Sequence, residues 1–397
     1  MSQNRMPTSG IRKSVQRIVG HIKSNSPGPT LIFFGGIHGN EPAGIRALQQ
    51  VFLQLETETT PRYGEFYGIA GNLSALAKGV RFVDEDLNRI WLPHSMGSLS
   101  SLQPYKTSEG QEMEELDRLI REILRTASPP FYFIDLHTTS GETEPFIVMN
   151  DSLLNRRFTR NYPLPCILGI EEYLTGALLS HINEMGYVAF GFESGQHETT
   201  SAVTNALRFI WYTLGLTGFH KMDNKILKAL KAKLNSSNTP KRFFEIYHQH
   251  LIQENEAFKM LPGFVNFQTV PKGSNISISF GKPIVTKKRR QLFMPLYQAK
   301  GYEGFYFIRS VPYFFLWLSK HLRKLRADGF LALLPGIKWA TSKKDTLYVD
   351  KRVARFFAKS IFHLLGYRTR QMDESHFVLK SRERNSKASD YKQAPWY

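Results

Sequence analysis

From Thr30 to Leu216 the chain alternates short, mostly apolar runs with amphipathic stretches at helical spacing, and that alternation leaves few folds open. Thr30–Gly36 (TLIFFGG), Glu65–Gly71, Phe131–Leu136 (FYFIDL), Phe146–Met149, Cys166–Ile170 and Tyr187–Glu193 read as strands. Strands that are apolar on successive residues are covered on both faces, as in a sheet flanked by two helical layers. Helices are predicted from Pro42, a residue suited to a first turn; over QEMEELDRLIREIL, behind a Ser108/Gln111 capping box; and through His197–Leu216. The expected class is α/β.

The pattern changes after a polar linker at Lys233–Lys241. FFEIYHQHLI, GFVNFQTV, SNISISF, PIVTK and GFYFIRSV follow, separated by Pro-Gly and Pro-Lys-Gly turns, and suit a small β-rich domain. Beyond about Val311 come a helical WLSKHLRKLRADG, a helical KRVARFFAKSIFHLLG and an end, SRERNSKASDYKQAPWY, whose composition predicts disorder. The expected division is a catalytic domain over 1–235, a β-rich domain over 240–320 and a basic mixed α/β extension over 321–397.

The 397 residues are enough for two cores. The single cysteine, Cys166, excludes an internal disulfide framework and a Cys-rich zinc site, so any metal must be held by His and carboxylates. No apolar run approaches the ~18 residues of a membrane span. The basic N-terminus lacks the apolar core of a signal peptide, which points to the cytoplasm. The net charge is +18. Residues 311–397 hold 18 Lys and Arg against 7 Asp and Glu, a surplus of 11 that lies away from the motifs below. Such a surface attracts nucleic acid, anionic lipid or anionic substrates, or is simply a solvated basic face.

Four strand ends carry residues suited to chemistry. Gly35-Gly36-Ile37-His38-Gly39-Asn40-Glu41-Pro42 ends the first buried strand, at the edge where open α/β sheets bind ligands. His38 and Glu41 are three apart, so a helical turn puts both on one side, and imidazole with carboxylate suits Zn²⁺. An incidental His beside a Glu favoured by a helix dipole would look the same. Asp135-Leu136-His137 ends another strand with Asp135 and His137 on one face. His137 can complete a three-ligand site, with Asp135 accepting from a ligand imidazole, or the two simply pair. Arg81 and Asp84-Glu85-Asp86-Leu87-Asn88-Arg89 could clamp a carboxylate and polarise a carbonyl, or form a charge-balanced loop. Gly191-Phe192-Glu193-Ser194-Gly195 offers a carboxylate as general base, or a Glu near a helix start. Together these are the parts of one hydrolytic site.

The phrases GGIHGNEPAG, VRFVDEDLNR, IDLHTTSG and FESG, in this order, resemble the succinylglutamate desuccinylase/aspartoacylase family, related to zinc carboxypeptidases. The resemblance spans residues 35–195 and reaches about 308 through the β segment. It implies a three-layer α/β/α carboxypeptidase-like domain with a mixed sheet, followed by a β-rich domain. It implies one Zn²⁺ per chain on His38, Glu41 and His137, with Glu193 as general base and acid. It further implies that Arg81 polarises the scissile carbonyl and that Asn88 and Arg89 bind a substrate carboxylate. Two features depart from the pattern. The aspartoacylases carry a Tyr-Arg pair ahead of the catalytic Glu, whereas Leu178–Gly186 (LLSHINEMG) has neither residue. In that branch a Tyr of the C-terminal domain reaches the site; Tyr297 or Tyr302 would do so here, with Tyr297 taken as the substrate-binding residue.

The expected reaction is zinc-dependent hydrolysis of an amide in a small carboxylate such as an N-acyl amino acid. Two alternatives have different partners. One is a metallocarboxypeptidase acting on a peptide or wall fragment. The other is a non-catalytic protein that binds nucleic acid or an anionic surface through the basic tail, although nucleic acid is not the expected partner. The sequence does not give the oligomeric state.

Overall fold

The computed structural model describes residues 15–92, 106–235, 242–350, 359–371 and 376–397. The strands are β1 (Ile18–Lys23), β2 (Thr30–Gly35), β3 (Glu65–Ala70), β4 (Phe131–Thr139), β5 (Phe146–Met149), β6 (Cys166–Leu168), β7 (Val188–Gln196), β8 (Phe243–Leu251), β9 (Lys259–Met260), β10 (Thr269–Val270), β11 (Asn275–Ser279), β12 (Lys282–Val285), β13 (Arg290–Phe293), β14 (Glu303–Ser310), β15 (Ile337–Trp339), β16 (Thr346–Asp350), β17 (Tyr367–Gln371) and β18 (His376–Ser381). The helices are α1 (Ala43–Thr57), α2 (Leu73–Lys78), α3 (Ser108–Thr126), α4 (Leu153–Thr159), α5 (Leu178–Glu184), α6 (Thr200–Thr217), α7 (Asn224–Leu234), α8 (Tyr313–Lys324) and α9 (Lys359–Leu364).

A parallel core β3-β2-β4-β7 forms the centre of the first domain, and every residue of β2, β3 and β4 is buried. Alternation along the strands explains why. Leu31 and Phe33 pack on one face with Ala47, Leu48 and Val51 of α1 and Phe209 and Ile210 of α6. Ile32 and Phe34 pack on the other face with Met113, Leu116 and Ile120 of α3 and Leu178 and Ile182 of α5. This is the expected α/β/α layering.

The sheet does not stop at the polar linker, of which residues 236–241 lie outside the described residues. β8 pairs parallel with β6, so one mixed sheet runs in the order β1-β3-β2-β4-β7-β5-β6-β8-β14-β13-β10. Strands β9, β11 and β12 form a small second sheet, and β15–β18 form a third with its own core around Leu347, Val349 and Leu379. Helix α8 spans the boundary expected at 320/321.

Local chemistry corrects several sequence expectations. α3 is capped by Thr107 rather than Ser108, because the Thr107 hydroxyl accepts the Gly110 N–H at 3.1 Å. α6 starts at Thr200, after the Thr199 cap, and not at His197.

The C-terminal end, predicted disordered, is ordered and docked. Tyr391 is fully buried; its hydroxyl accepts from Val188 N at 3.0 Å and donates to the Phe131 carbonyl. Trp396 Nε1 donates to the Tyr132 hydroxyl at 2.8 Å, and the Arg157 guanidinium lies 3.3 Å from the Tyr397 ring centre. Polar composition gave no sign of these aromatic anchors. Buried ion pairs fix the rest of the extension to the first domain. Arg323 of α8 donates to Asp151 Oδ2 at 2.7 Å and to Glu383 at 3.0 Å, and Arg382 reaches Glu171 and Glu172 at 2.7 Å each. Burial would raise the Asp151 carboxyl, but Arg156 and Arg323 outweigh it and hold it well below the carboxylate range.

Candidate metal-centred active site

The C-terminal ends of β2, β4 and β7 converge on one cleft. β2 ends at Gly35, and Gly36 then takes φ 67°, a left-handed turn that side chains disfavour. Gly39 lets the loop lie against α2, since a Cβ there would sit 2.1 Å from the Ala75 carbonyl carbon. This path leaves His38 and Glu41 side by side ahead of α1. His137 comes from β4, and in the parallel register it lies opposite Glu193 of β7.

Glu41 is the hub. One carboxylate oxygen lies 2.9 Å from His38 Nδ1 and the other 3.0 Å from His137 Nδ1, and the second also accepts the Thr138 N–H at 2.9 Å. Both imidazoles thus turn Nδ1 inward. Their Nε2 atoms face outer carboxylates, His38 to Asp86 at 3.2 Å and His137 to Asp135 at 2.6 Å. This is the arrangement of a metal-binding imidazole, with the outer N–H held by a carboxylate. One ligand atom from each of His38, Glu41 and His137 lies within 4.8 Å of the other two. All three residues are buried. The donor set therefore fits a divalent cation of the zinc type.

The electrostatics agree. Burial would raise the Glu41 carboxyl, yet the two imidazoles hold it well below its ordinary range. Burial would lower His137, but Asp135 and Glu41 push it well above the ordinary value. Glu193 behaves oppositely. Burial, with Glu41 and Asp135 nearby, outweighs His137 and Arg81 and raises it to about 8. Its buried Oε2 has no hydrogen-bond partner among the described residues. A buried carboxylate oxygen left unmatched beside the triad is free to take a hydrogen bond from a water or a bound molecule in the cleft.

Arg81 donates through Nη2 to Asp86 at 3.0 Å, and its Nη1 lies 3.6 Å from Glu41 Oε1. Asn88 accepts the Leu178 N–H through Oδ1 at 3.0 Å, which leaves its NH₂ end as the one with protons to donate. The loop carrying these residues is shaped by Glu109 at the start of α3. Its carboxylate accepts from the N–H groups of Val83, Asp84 and Glu85 at 2.7, 3.0 and 3.2 Å and from Asn72 at 2.9 Å.

The cleft encloses about 1060 Å³, counted out to solvent. His38, Glu41, Arg81, Asn88, Arg89, His137 and Glu193 all line it, so the structure brings together every site residue expected from the first domain. The C-terminal expectation needs correction. Tyr297 is outside the cleft lining, with its hydroxyl tied to the Leu261 and Phe264 carbonyls at 2.7 and 3.0 Å, and Tyr302 is half-exposed elsewhere. The polar side chains of that region that line the cleft are Gln298, Glu303 and Tyr306. Glu303 accepts from Arg89 Nη2 at 3.0 Å. Gln298 accepts from Asn40 at 2.9 Å and lies 3.3 Å from His197 Nε2. Strand register and the irregularity between Glu303 and Phe305 decide which side chains of GYEGFYF face the cleft, and the sequence did not contain them. Asp86 also took a role the sequence left open, as the partner of His38. Val148, Met149, Ile170, Leu174 and Leu179 make one side of the cleft apolar.

The fold and the site define an α/β domain whose His-x-x-Glu pair and distant His could hold a metal ion at the ends of the central strands. Residues 27–202 match the profile of the succinylglutamate desuccinylase/aspartoacylase catalytic domain, so this stretch of the chain carries that family's catalytic domain. The succinylglutamate desuccinylase of Photorhabdus laumondii is 25% identical over 282 residues, covering 67% of this chain and 80% of that enzyme. That of Pseudoalteromonas atlantica is 36% identical over 132 residues, 32% of this chain and 36% of that one. Among solved structures, a succinylglutamate desuccinylase/aspartoacylase from Rhodobacter sphaeroides superposes with a TM-score of 0.53 at 18% identity, covering 74% of this chain and 88% of that one. The ectoine utilization protein of Ruegeria pomeroyi gives the same values. These two likenesses speak for the fold.

Proposed function

We propose that the chain is a zinc-dependent hydrolase of the amide bond in an N-acyl amino acid or a similar small carboxylate, with one zinc per chain. The observation that carries this reading is the convergence of His38, Glu41 and His137 within 4.8 Å, with Glu193 in register beside His137. The names of the relatives, desuccinylases of the same family, support it.

His38, Glu41 and His137 would hold the zinc, which would supply Lewis acidity toward the scissile carbonyl and a water. The charge of a cation on the adjacent triad would favour the ionised form of Glu193, which then accepts the proton of the attacking water at its unpartnered oxygen and passes it to the leaving nitrogen. Arg81, held by Asp86, keeps a positive charge beside the carbonyl oxygen as negative charge builds there, a contribution worth ~3 kcal/mol for a good donor. Asn88 and Arg89 bind the substrate carboxylate and fix its register. The apolar wall around Leu174 and Leu179 takes the alkyl part of the substrate and keeps water from it. A cytoplasmic location belongs to the same reading; among the described residues no helix is long and apolar enough to cross a membrane.

The test is a substrate panel on zinc-loaded protein: N-acyl amino acids, their C-terminal amides, and peptides with free C-termini. Release of the amino acid from the first group, with one zinc found by metal analysis, is the expected result. One zinc with no hydrolysis of any substrate sinks the reading, and preference for peptides replaces it with a carboxypeptidase.

A further inference from the structure

Helix α8 is built inside out. Its buried face carries Leu316, Ser319 and Arg323, two of them polar. Its outer face carries Tyr313, Phe314 and Trp317, with Phe315 at the edge, and the turn beyond adds Leu325, Phe330 and Leu333. These seven side chains are 46–79% exposed, and they make up seven of the 17 exposed large hydrophobics found among the described residues. Rotating the helix cannot hide them. Ser319 donates to the Leu364 carbonyl at 2.8 Å, and Arg323 is locked to Asp151 and Glu383, so the polar face is the anchored one. An apolar patch of this kind, held out by buried ion pairs, marks an interaction surface.

The charge around it names the partner. Residues 311–344 contain seven Lys and Arg and one acidic residue, Asp328. Asp328 is buried and accepts from Tyr367 at 2.7 Å and Arg384 at 2.8 Å, so it offers no counter-charge at the surface. Lys320 and Lys324 of the same helix and Arg326 just beyond it are exposed, as is Lys338. We propose that this face docks the protein on an anionic lipid surface. Trp and Tyr rings settle at the headgroup level, Phe and Leu enter the acyl boundary, and the lysines meet lipid phosphates. A second copy of the chain is a poorer fit, because facing patches would bring the same cations together. Nucleic acid is poorer too, since Leu325 and Leu333, the most exposed members, gain nothing from base stacking. The proposal stands apart from the hydrolase reading, as none of these residues lines the cleft.

The test is co-sedimentation of the full chain with vesicles of phosphatidylcholine, with and without phosphatidylglycerol, at low and high salt. Binding to the anionic vesicles roughly tenfold or more tighter than to the neutral ones, weakened by salt, is expected. The emission of Trp317 should shift to the blue on binding, and Trp317→Phe should remove that shift. Phe314→Ser with Phe330→Ser, and separately Lys320→Glu with Lys324→Glu, should each weaken binding roughly tenfold or more while circular dichroism and melting stay as in the parent. Equal binding to neutral and anionic vesicles, binding to neither, or undiminished binding by the folded variants overturns the proposal. So does self-association that the Phe variants abolish in a protein that ignores vesicles, or salt-sensitive binding of nucleic acid in their place.

Discussion

Arg89 and Glu303 meet at 3.0 Å on the cleft wall, one from the loop after α2 and the other from the first residue of β14. Burial alone would lower the Arg89 pKa, and Glu303 and Asp86 raise it, so the guanidinium is firmly charged. The same pair means that a substrate carboxylate must compete with Glu303 for Arg89. Glu303→Gln removes the competitor. With a partly buried pair worth roughly 1 kcal/mol, KM for N-acyl amino acids should fall roughly fivefold. An unchanged or higher KM in steady-state kinetics would place the carboxylate elsewhere.

Arg89→Ala removes the clamp itself. A hydrogen bond to a charged group contributes about 1.5–3 kcal/mol, so KM for the carboxylate substrate should rise roughly 10- to 100-fold. The C-terminal amide of the same substrate should be little affected. Equal losses on both substrates would count against the clamp.

Glu193→Gln keeps the shape of the side chain and removes its basicity. Turnover should drop roughly 10²- to 10⁴-fold while zinc stoichiometry stays at the parent level. Undiminished hydrolysis with zinc in place would assign the proton transfers to another group.

The parts of this protein that were legible in the sequence are those written locally. A buried strand that ends in GGIHGNE or IDLHTT declares both its own burial and the chemistry at its end. His38, Glu41, His137 and Glu193 could therefore be named before their geometry was known. What stayed hidden depends on long-range register. Nothing in CILGI or FFEIYHQHLI shows that β6 and β8 pair and carry the sheet across the linker. Nothing in GYEGFYF shows that Glu303 and Tyr306 face the cleft while Tyr302 does not. The final segment misled through its composition. Polar residues dominate SRERNSKASDYKQAPWY, yet Tyr391 and Trp396 alone bind Phe131, Val188 and Tyr132.

Asp86 and Asp135 each hold the outer nitrogen of an imidazole. Replacing either by Asn keeps the size but weakens the acceptor and loosens the ring orientation. Zinc affinity should fall roughly 10- to 100-fold in a competition titration with a chromophoric chelator. The loss should be larger for Asp135→Asn, whose contact of 2.6 Å is shorter than the 3.2 Å of Asp86. Parent-like affinity in both variants would mean that these imidazoles are oriented by something else.

Glu109 lies outside the cleft yet shapes the loop that carries Arg81, Asp86 and Arg89. Burial would raise its carboxyl, but Asn72 and the N–H groups of Val83, Asp84 and Glu85 outweigh it, and the folded pKa lies below the ordinary 4.5. A carboxyl depressed on folding stabilises the native state above its unfolded value, and that contribution is lost as pH falls through the folded value. Glu109→Gln should therefore cost about 2 kcal/mol near neutral pH in a denaturant titration. The gap between parent and variant should hold down to about pH 4.5 and then close with further acidification. Activity should fall with the loop's order, since Arg81 and Arg89 would no longer be held in place. A gap that widens in acid, or a variant as stable as the parent at neutral pH, would show that the four donors do not depend on the negative charge of Glu109.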